Sequence, residues 1–548
     1  MYLTNLPSSE QTYDVCVVGA GPVGLTVALE CEAAGLSVLL VEAGHVRSLS
    51  RVAGLSDAEI LDTSRHPSLE VVTRSGVGGT SAIWGGRCVP FDDVDFERRS
   101  FVPHSGWPVS HQELKPWYLK ASHYLDCGEG GFVMPAAGWD EGSGISFDTV
   151  ERLSSQPRLA RRFKDKLKNS RLLSLVLGRV ASGLDIDDSG NLVRSLTFNG
   201  SASSNARLNA RSFVLACGGL QTTRILLELQ RNWPQRFGGD EGPLGRYYMG
   251  HLTGKIATVV LRDPTDVAHF DYELDQNNYW VRRRFSISPS TQIEQQLLNT
   301  VFWLGNPPFH DPGHGSAAAS CLYLGMRLPI VGRKYSSNDF FNFHGGVPSP
   351  ISRHIENVLR NPREAATGIG RAVGYRLSGN DLKPFFLRND RGTYALHYHS
   401  EQIPNPSSRV RLVSDAAGGT RMSVDFKFCE DDARSVVRAH ELLDKALRES
   451  GKGYLKYRQR PEERLDHVLE QARDGYHQIG SARMDESQNL GVVDRNCRVH
   501  GLGNLYLAGS AVFPTSGQAN PTFFAVAIAA RLAEHVRRSL ASRSPISA

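Results

Sequence analysis

Residues Tyr13–Gly44 read YDVCVVGAGPVGLTVALECEAAGLSVLLVEAG, and the fold is decided within them. Val15–Val18 is a short apolar run that suits a strand buried on both faces. It ends in Gly19-Ala20-Gly21-Pro22-Val23-Gly24, a G-x-G-x-x-G turn, and Leu25–Ala34 continues as a helix. Gly19 permits the tight turn. Gly21 lets the backbone approach a pyrophosphate at the positive helix N-terminus, beside Pro22, and Gly24 lets the helix pack closely on the strand. Leu36–Val41 forms a second strand, and Glu42 follows at the position from which an acid holds a ribose hydroxyl. The glycines alone are a weak signal, because such turns also occur without ligands. Strand, glycines, helix, strand and terminal acid in order point to a dinucleotide with a free 2′-hydroxyl, FAD or NAD rather than NADP.

The chain has 548 residues, too many for one core and suited to two domains with discontinuous segments. Hydrophobic residues make up 40% and charged residues 22%, so an ordinary globular protein is expected. A net charge of +5 is slight for this length. The tight basic clusters, Arg282-Arg283-Arg284 and Arg161-Arg162, read as solvated surface, and nucleic-acid binding is not expected. Met1–Gln11 lacks a basic segment followed by an apolar one, so no secretory signal is expected. Glycines, Glu30 and Glu32 interrupt the longest apolar stretch, which excludes it as a membrane span. The eight cysteines are scattered without a C-x-x-C. A reduced, cytoplasmic protein without a metal cluster is the expectation.

Farther along, Gly76-Val77-Gly78-Gly79-Thr80-Ser81-Ala82-Ile83-Trp84-Gly85-Gly86-Arg87 brings backbone close to something flat or bulky, since Ile83 and Trp84 would be wasted in solvent. Ser110–Tyr124 reads as one amphipathic helix with a Ser110/Glu113 capping box. Gly128–Gly144 reads as a loop or lid. Leu172–Val180, Gly190–Phe198 and Ala206–Leu215 alternate and predict an antiparallel meander. The last runs into Ala216-Cys217-Gly218-Gly219 and a helix over Thr222–Leu229, closing back on the nucleotide site. From Gly250 to about Asp474 the buried-strand pattern gives way to aromatics, prolines and arginines. Phe302-Trp303, Phe340-Phe341-Asn342-Phe343 and Phe385-Phe386 read as walls and core of a second domain. Tyr394–Gln402 alternates, which places His397 and His399 on one strand face. They are assigned to a pocket rather than a metal, because no third ligand lies nearby in sequence.

The C-terminal run is the second informative stretch. Tyr476-His477-Gln478-Ile479-Gly480-Ser481-Ala482-Arg483-Met484 is followed by Leu505-Tyr506-Leu507-Ala508-Gly509-Ser510. Gln518-Ala519-Asn520-Pro521-Thr522 then opens a helix over Phe523–Val536. Pro521 suits the first helical turn, so the amides near Thr522 point out of the N-terminus, ready for partial negative charge.

Taken together, GAGPVG, GVGGTSAIWGG, FVLACGGLQTTRILL, GPLGRYYMGHL, EQIPNPSSRVRL, HQIGSARM and the closing GNLYLAGSAVFPTSGQANPTFFAVAIAARLAEH resemble the glucose-methanol-choline (GMC) flavoprotein oxidoreductases. The likeness is nearest the pyranose oxidase-like and bacterial sugar or glycoside branch. It implies an α/β Rossmann-type domain for FAD, discontinuous over 12–100, 150–250 and 475–548. An α+β substrate domain with a lid, built on an antiparallel sheet, takes 101–149 and 251–474. Cofactor contacts fall on Gly19, Gly21, Pro22, Gly24, Glu42, Gly79, Thr80, Trp84, Val180, Gly218, Gly509, Asn520, Pro521 and Thr522. The family's catalytic pair falls on His477 and Asn520: family members pass hydride to flavin N5 while the His takes the hydroxyl proton. An imidazole, with an unperturbed pKa of about 6.5, accepts a proton near neutrality, and an amide at Asn520 holds the substrate oxygen.

Where the covalent branch carries a flavin-linked histidine, this chain has Ile83, so the FAD is expected to be non-covalent. Gly85 in place of a hydroxyl residue leaves oxidase or dehydrogenase undecided, with oxygen or a quinone-like acceptor. The expected function is oxidation of a small-molecule alcohol, a sugar, polyol or glycoside. Trp303, His397 and His399 are candidates for the substrate wall, together with Phe302, Glu401 and Gln402. A flavin-containing lyase of the hydroxynitrile-lyase type is the alternative, and an NAD dehydrogenase the third reading. A metal is not expected, and a homo-oligomer is allowed.

Overall fold

The computed structural model describes residues 2–3, 7, 11–46, 57–139, 144–199, 206–328, 349–377, 385–414 and 419–542. Phe340–Phe343 lie outside these. Strand Thr12–Val18 sits inside an eight-stranded sheet, with Val15, Cys16 and Val17 wholly buried. Strands Val38–Glu42 and Ala206–Leu215 flank it in parallel, Leu173–Leu177 and Tyr2–Leu3 extend one side, and Leu505–Leu507 joins Phe213–Leu215 in parallel. Parallel strands are covered on both faces, which is why they read as unbroken apolar runs. Helix Pro22–Ala33 packs against helix Pro521–Ser542 on this sheet.

The expected meander is shifted. Leu173–Leu177 belongs to the parallel sheet, and Gly178, at φ +70°, separates it from Val180–Ile186. That strand, Val193–Asn199 and the near end of Ala206–Leu215 form the antiparallel part. Alternation alone did not separate the strands on either side of one glycine.

A second, six-stranded sheet runs Gly453–Tyr457, His251–Leu261, Thr393–Glu401, Thr300–Gly305, Phe285–Ile287, Ile145–Ser146, with every pairing antiparallel. Helix Glu430–Glu449 covers it through Ala433, Val436, Leu443 and Leu447. The architecture is therefore a Rossmann-type α/β layer with a substrate-side layer on an antiparallel sheet. Two small sheets tie the layers together: Ala58–Ile60 pairs with Thr420–Asp425, and Val150–Leu153 with Trp280–Arg283.

Three local expectations change. Ser110–Tyr124 is not one helix. The Ser110/Glu113 capping box forms, but Pro116 lies in a tight turn, Lys115–Trp117, between His111–Leu114 and Tyr118–Leu125. The helix expected over Thr222–Leu229 spans Gly219–Asn232. Arg282, Arg283 and Arg284 are buried, not solvated. Glu151, fully buried, takes both Arg87 and Arg282, Arg283 pairs with Glu273, and Arg284 donates to Gln518 Oε1 at 2.7 Å. A buried charge needs such partners. The eight cysteines are free thiols, and no helix among the described residues is long and apolar enough to cross a membrane.

Candidate active site

One cavity of ≈ 580 Å³ connects the glycine turn to the C-terminal histidine. Gly19, Gly21, Pro22, Glu42, Gly79, Thr80, Trp84, Val180, Gly218, Gly509, Asn520, Pro521, Thr522 and His477 all line it. Three helices start at its wall: Pro22–Ala33, Gly219–Asn232 and Pro521–Ser542. Their unpaired amides and dipoles favour an anionic ligand such as a pyrophosphate.

The glycines divide the labour as the sequence indicates. A Cβ on Gly24 would lie 1.9 Å from Gly19 O, so this residue holds helix to strand and stays out of the lining. A Cβ on Gly21 would meet nothing within 4 Å, because it would project into the cavity. This is a cradle that a side chain would fill, and it fits a dinucleotide. The second Gly-rich loop closes on the first, with Gly78 N donating to Ala20 O at 2.7 Å. Glu42 lies between them: its carboxylate accepts the amides of Ala20, Gly44 and Gly76, each at 2.8 Å. Burial raises its pKa, and those hydrogen bonds oppose the rise. Ile83 also lines the cavity and carries no nucleophile.

His477 is held by Asp474. Asp474 Oδ1 accepts the amides of Gly475 (2.6 Å), Tyr476 (2.9 Å) and His477 (3.3 Å), an Asx-type turn. Its Oδ2 accepts from His251 N at 2.9 Å and lies 2.8 Å from His477 Nδ1. Burial alone would raise the Asp474 carboxyl, but the adjoining His477 and hydrogen bonds from His251 and His477 hold it well below its usual value. His251 Nδ1 is 3.0 Å from His477 Nδ1, and its Nε2 is 3.2 Å from Ser516 O. Burial lowers the pKa of His251.

His399, Trp303 and His397 do not line this cavity. His397 stacks on Trp303, which also lies under the Arg87 and Arg282 guanidinium groups. His399 is the member that reaches the site: its ring centroid is 5.5 Å from that of His477 and 4.1 Å from that of His251. Its Nδ1 donates to Gln518 O at 2.7 Å, and its buried Nε2 has no hydrogen-bond partner among the described residues. Burial and the neighbouring His251, His477 and Arg87 push its pKa well down. The third imidazole missing from the sequence neighbourhood of His399 is thus supplied by the fold, and His251, His399 and His477 bring ring nitrogens within 4.8 Å of one another. The rest of the expected polar wall is structural. Glu401 forms a buried ion pair with Arg99, Gln402 bonds Gly250 N and Lys427 O, and Phe302 is wholly buried against His440.

Sequence reasoning missed Asp474 and His251. Asp474 left a trace, an acid three residues before the candidate base. His251 lies within the quoted block GPLGRYYMGHL, but nothing there pairs it with a residue 226 positions away.

Comparison with known proteins bears on the same regions. Residues 404–529 match the family described as GMC oxidoreductase, and residues 14–115 match that described as FAD dependent oxidoreductase. Paromamine 6′-oxidase of Streptomyces fradiae is 23% identical, over 97% of this chain and 93% of its own length. 2-Methyl-1,2-propanediol dehydrogenase of Mycolicibacterium austroafricanum is 20% identical, over 97% and 96%. Among solved structures, pyridoxine 4-oxidase from Mesorbium loti superposes with a TM-score of 0.54 at 15% identity, covering 95% of this chain and 98% of that one. These relatives are oxidases and dehydrogenases, which favours alcohol oxidation over the lyase alternative. With the glycine cradle and the two C-terminal residues on one cavity, these matches support an FAD-dependent oxidoreductase that is similar to the GMC family.

Proposed function

We propose that this alcohol oxidoreductase acts on a sugar, polyol or glycoside hydroxyl, with His477 as the base and Asn520 as the orienting group. The observation that supports it best is that His477 and Asn520 line the same cavity as Gly19, Gly21 and Glu42. FAD, when bound, supplies the acceptor for the hydride that leaves the carbinol carbon. His477 Nε2 accepts the hydroxyl proton as the carbonyl forms. The Asn520 amide donates to the same oxygen and fixes the carbon's orientation. The helix from Pro521 directs its N-terminal amides toward the cavity and favours negative charge there. Gly19–Gly24 and Glu42 hold the dinucleotide. Two relatives are named for paromamine and for a diol, which fits a hydroxyl-rich substrate.

An anaerobic screen of sugars, glycosides, polyols and simple alcohols tests this reading through the disappearance of oxidised flavin absorbance. Hydroxyl-rich substrates should bleach the flavin fastest, and bleaching by simple alcohols alone would refute the substrate class. Stopped-flow reoxidation of the bleached enzyme should be faster with benzoquinone than with oxygen. A second expected result concerns attachment: acid precipitation should leave FAD in the supernatant, because Ile83 cannot form a link. Flavin remaining in the pellet would contradict this.

A further inference from the structure

Three contacts determine which nitrogen of His477 carries a proton. Asp474 Oδ2, 2.8 Å from His477 Nδ1, belongs to a buried carboxylate that also accepts four backbone amides. A carboxylate bonded this way is ionised and can only accept. Ser516 O, 3.2 Å from His251 Nε2, is a carbonyl and also only accepts. The proton of the neutral His251 ring is therefore on Nε2, and its Nδ1 is a lone pair, 3.0 Å from His477 Nδ1. The Nδ1–H of His477 thus faces two acceptors at once, and its Nε2 is the nitrogen left bare.

Building on the assignment of His477 as base, we infer that Asp474 and His251 form a positioning pair that locks His477 in its Nδ1–H tautomer. Neither residue touches the reacting atoms. The Nδ1 proton stays in place during turnover. The substrate proton goes to Nε2, where the imidazolium that forms is stabilised by the Asp474 carboxylate. His251 extends the device: it ties the base to the Ser516–Asn520 segment, so the nitrogen that takes the proton and the amide that orients the oxygen share one scaffold. His399, bonded to Gln518 O at 2.7 Å, ties a second strand to the same segment.

The test is single-turnover reduction of the flavin in purified holoenzyme, read for limiting rate and for apparent substrate Kd. Asp474→Asn puts an amide donor where Nδ1–H needs an acceptor. It should lower the limiting rate by a factor on the order of 10² to 10³, within the range for a misplaced general base. The apparent Kd should stay within about twofold. In a His477→Ala background the same change should cost no more than about twofold, since the group it positions is gone. His251→Leu should slow reduction about tenfold. His251→Asn, whose Oδ1 replaces the Nδ1 lone pair, should restore most of the rate. An equal cost of Asp474→Asn in both backgrounds would make Asp474 merely a framework residue and overturn the proposal. So would His251→Leu and His251→Asn behaving alike, a comparison that decides the matter even if Asp474→Asn fails to retain flavin. Failure of the base assignment has a different signature, since His477→Ala alone would then reduce at the wild-type rate.

Discussion

His477→Ala is expected to purify yellow and to bind substrate, yet to reduce its flavin more slowly by a factor on the order of 10² to 10⁴, the usual share of a general base. Binding should survive because the glycine turn, Glu42 and three helix starts surround the cofactor end of the cavity and none of them depends on this imidazole. Asn520→Ala should also slow reduction, by removing the orienting donor at the start of Pro521–Ser542. Asn520→His should keep part of the rate, since a ring N–H can replace the amide. His500 provides the control: its Nε2 lies 3.0 Å from Asp485 O, it is not part of the cavity wall, and His500→Gln should reduce like wild type. Stopped-flow reduction of the four variants decides the assignment. Wild-type reduction by His477→Ala would show that the base is a different residue.

Gly21→Val and Gly24→Val should fail in different ways. The first adds methyl groups where no protein atom lies within 4 Å, so the chain should fold and give wild-type circular dichroism. Those methyls occupy the space that backbone and pyrophosphate share, and the protein should keep less than about a tenth of its flavin. The second drives a Cβ to 1.9 Å from Gly19 O, between strand and helix. Overpacking there should cost about 3 kcal/mol and yield unstable or insoluble protein. Flavin content and thermal midpoint separate the two outcomes. A yellow Gly21→Val would remove the cofactor from this turn.

Much of this was legible because its signals are local. Parallel strands buried on both faces read as apolar runs, and one turn of glycines carries its own geometry in Tyr13–Gly44. That His477 and Asn520 face the cavity was legible because each sits in a short motif at an element boundary. What escaped depended on partners far away in sequence. Arg282 reads as surface until Glu151, 131 residues earlier, is placed against it. Glu401 reads as a pocket acid until Arg99, 302 residues earlier, is found to occupy both of its oxygens. Alternation put His397 and His399 on one face of their strand but could not tell which would meet His477. The break at Pro116 was in plain view, and the helical pattern around it obscured it.

The order in which the ribosome delivers these pieces sets when the site can exist. Strand Thr12–Val18 gains its parallel neighbour Ala206–Leu215 only after some two hundred further residues, and Leu505–Leu507 comes later still. Trp107 Nε1 waits for Thr515 Oγ1, 408 residues on, and Asp95 O for the same side chain, 420 residues on. Loop closure over such spans is slow and brings no reward until the distant contact forms. Helix Pro22–Ala33, among the first helices to emerge, completes its packing only against Pro521–Ser542. Nascent chains arrested before that helix should therefore hold neither a finished nucleotide layer nor bound flavin.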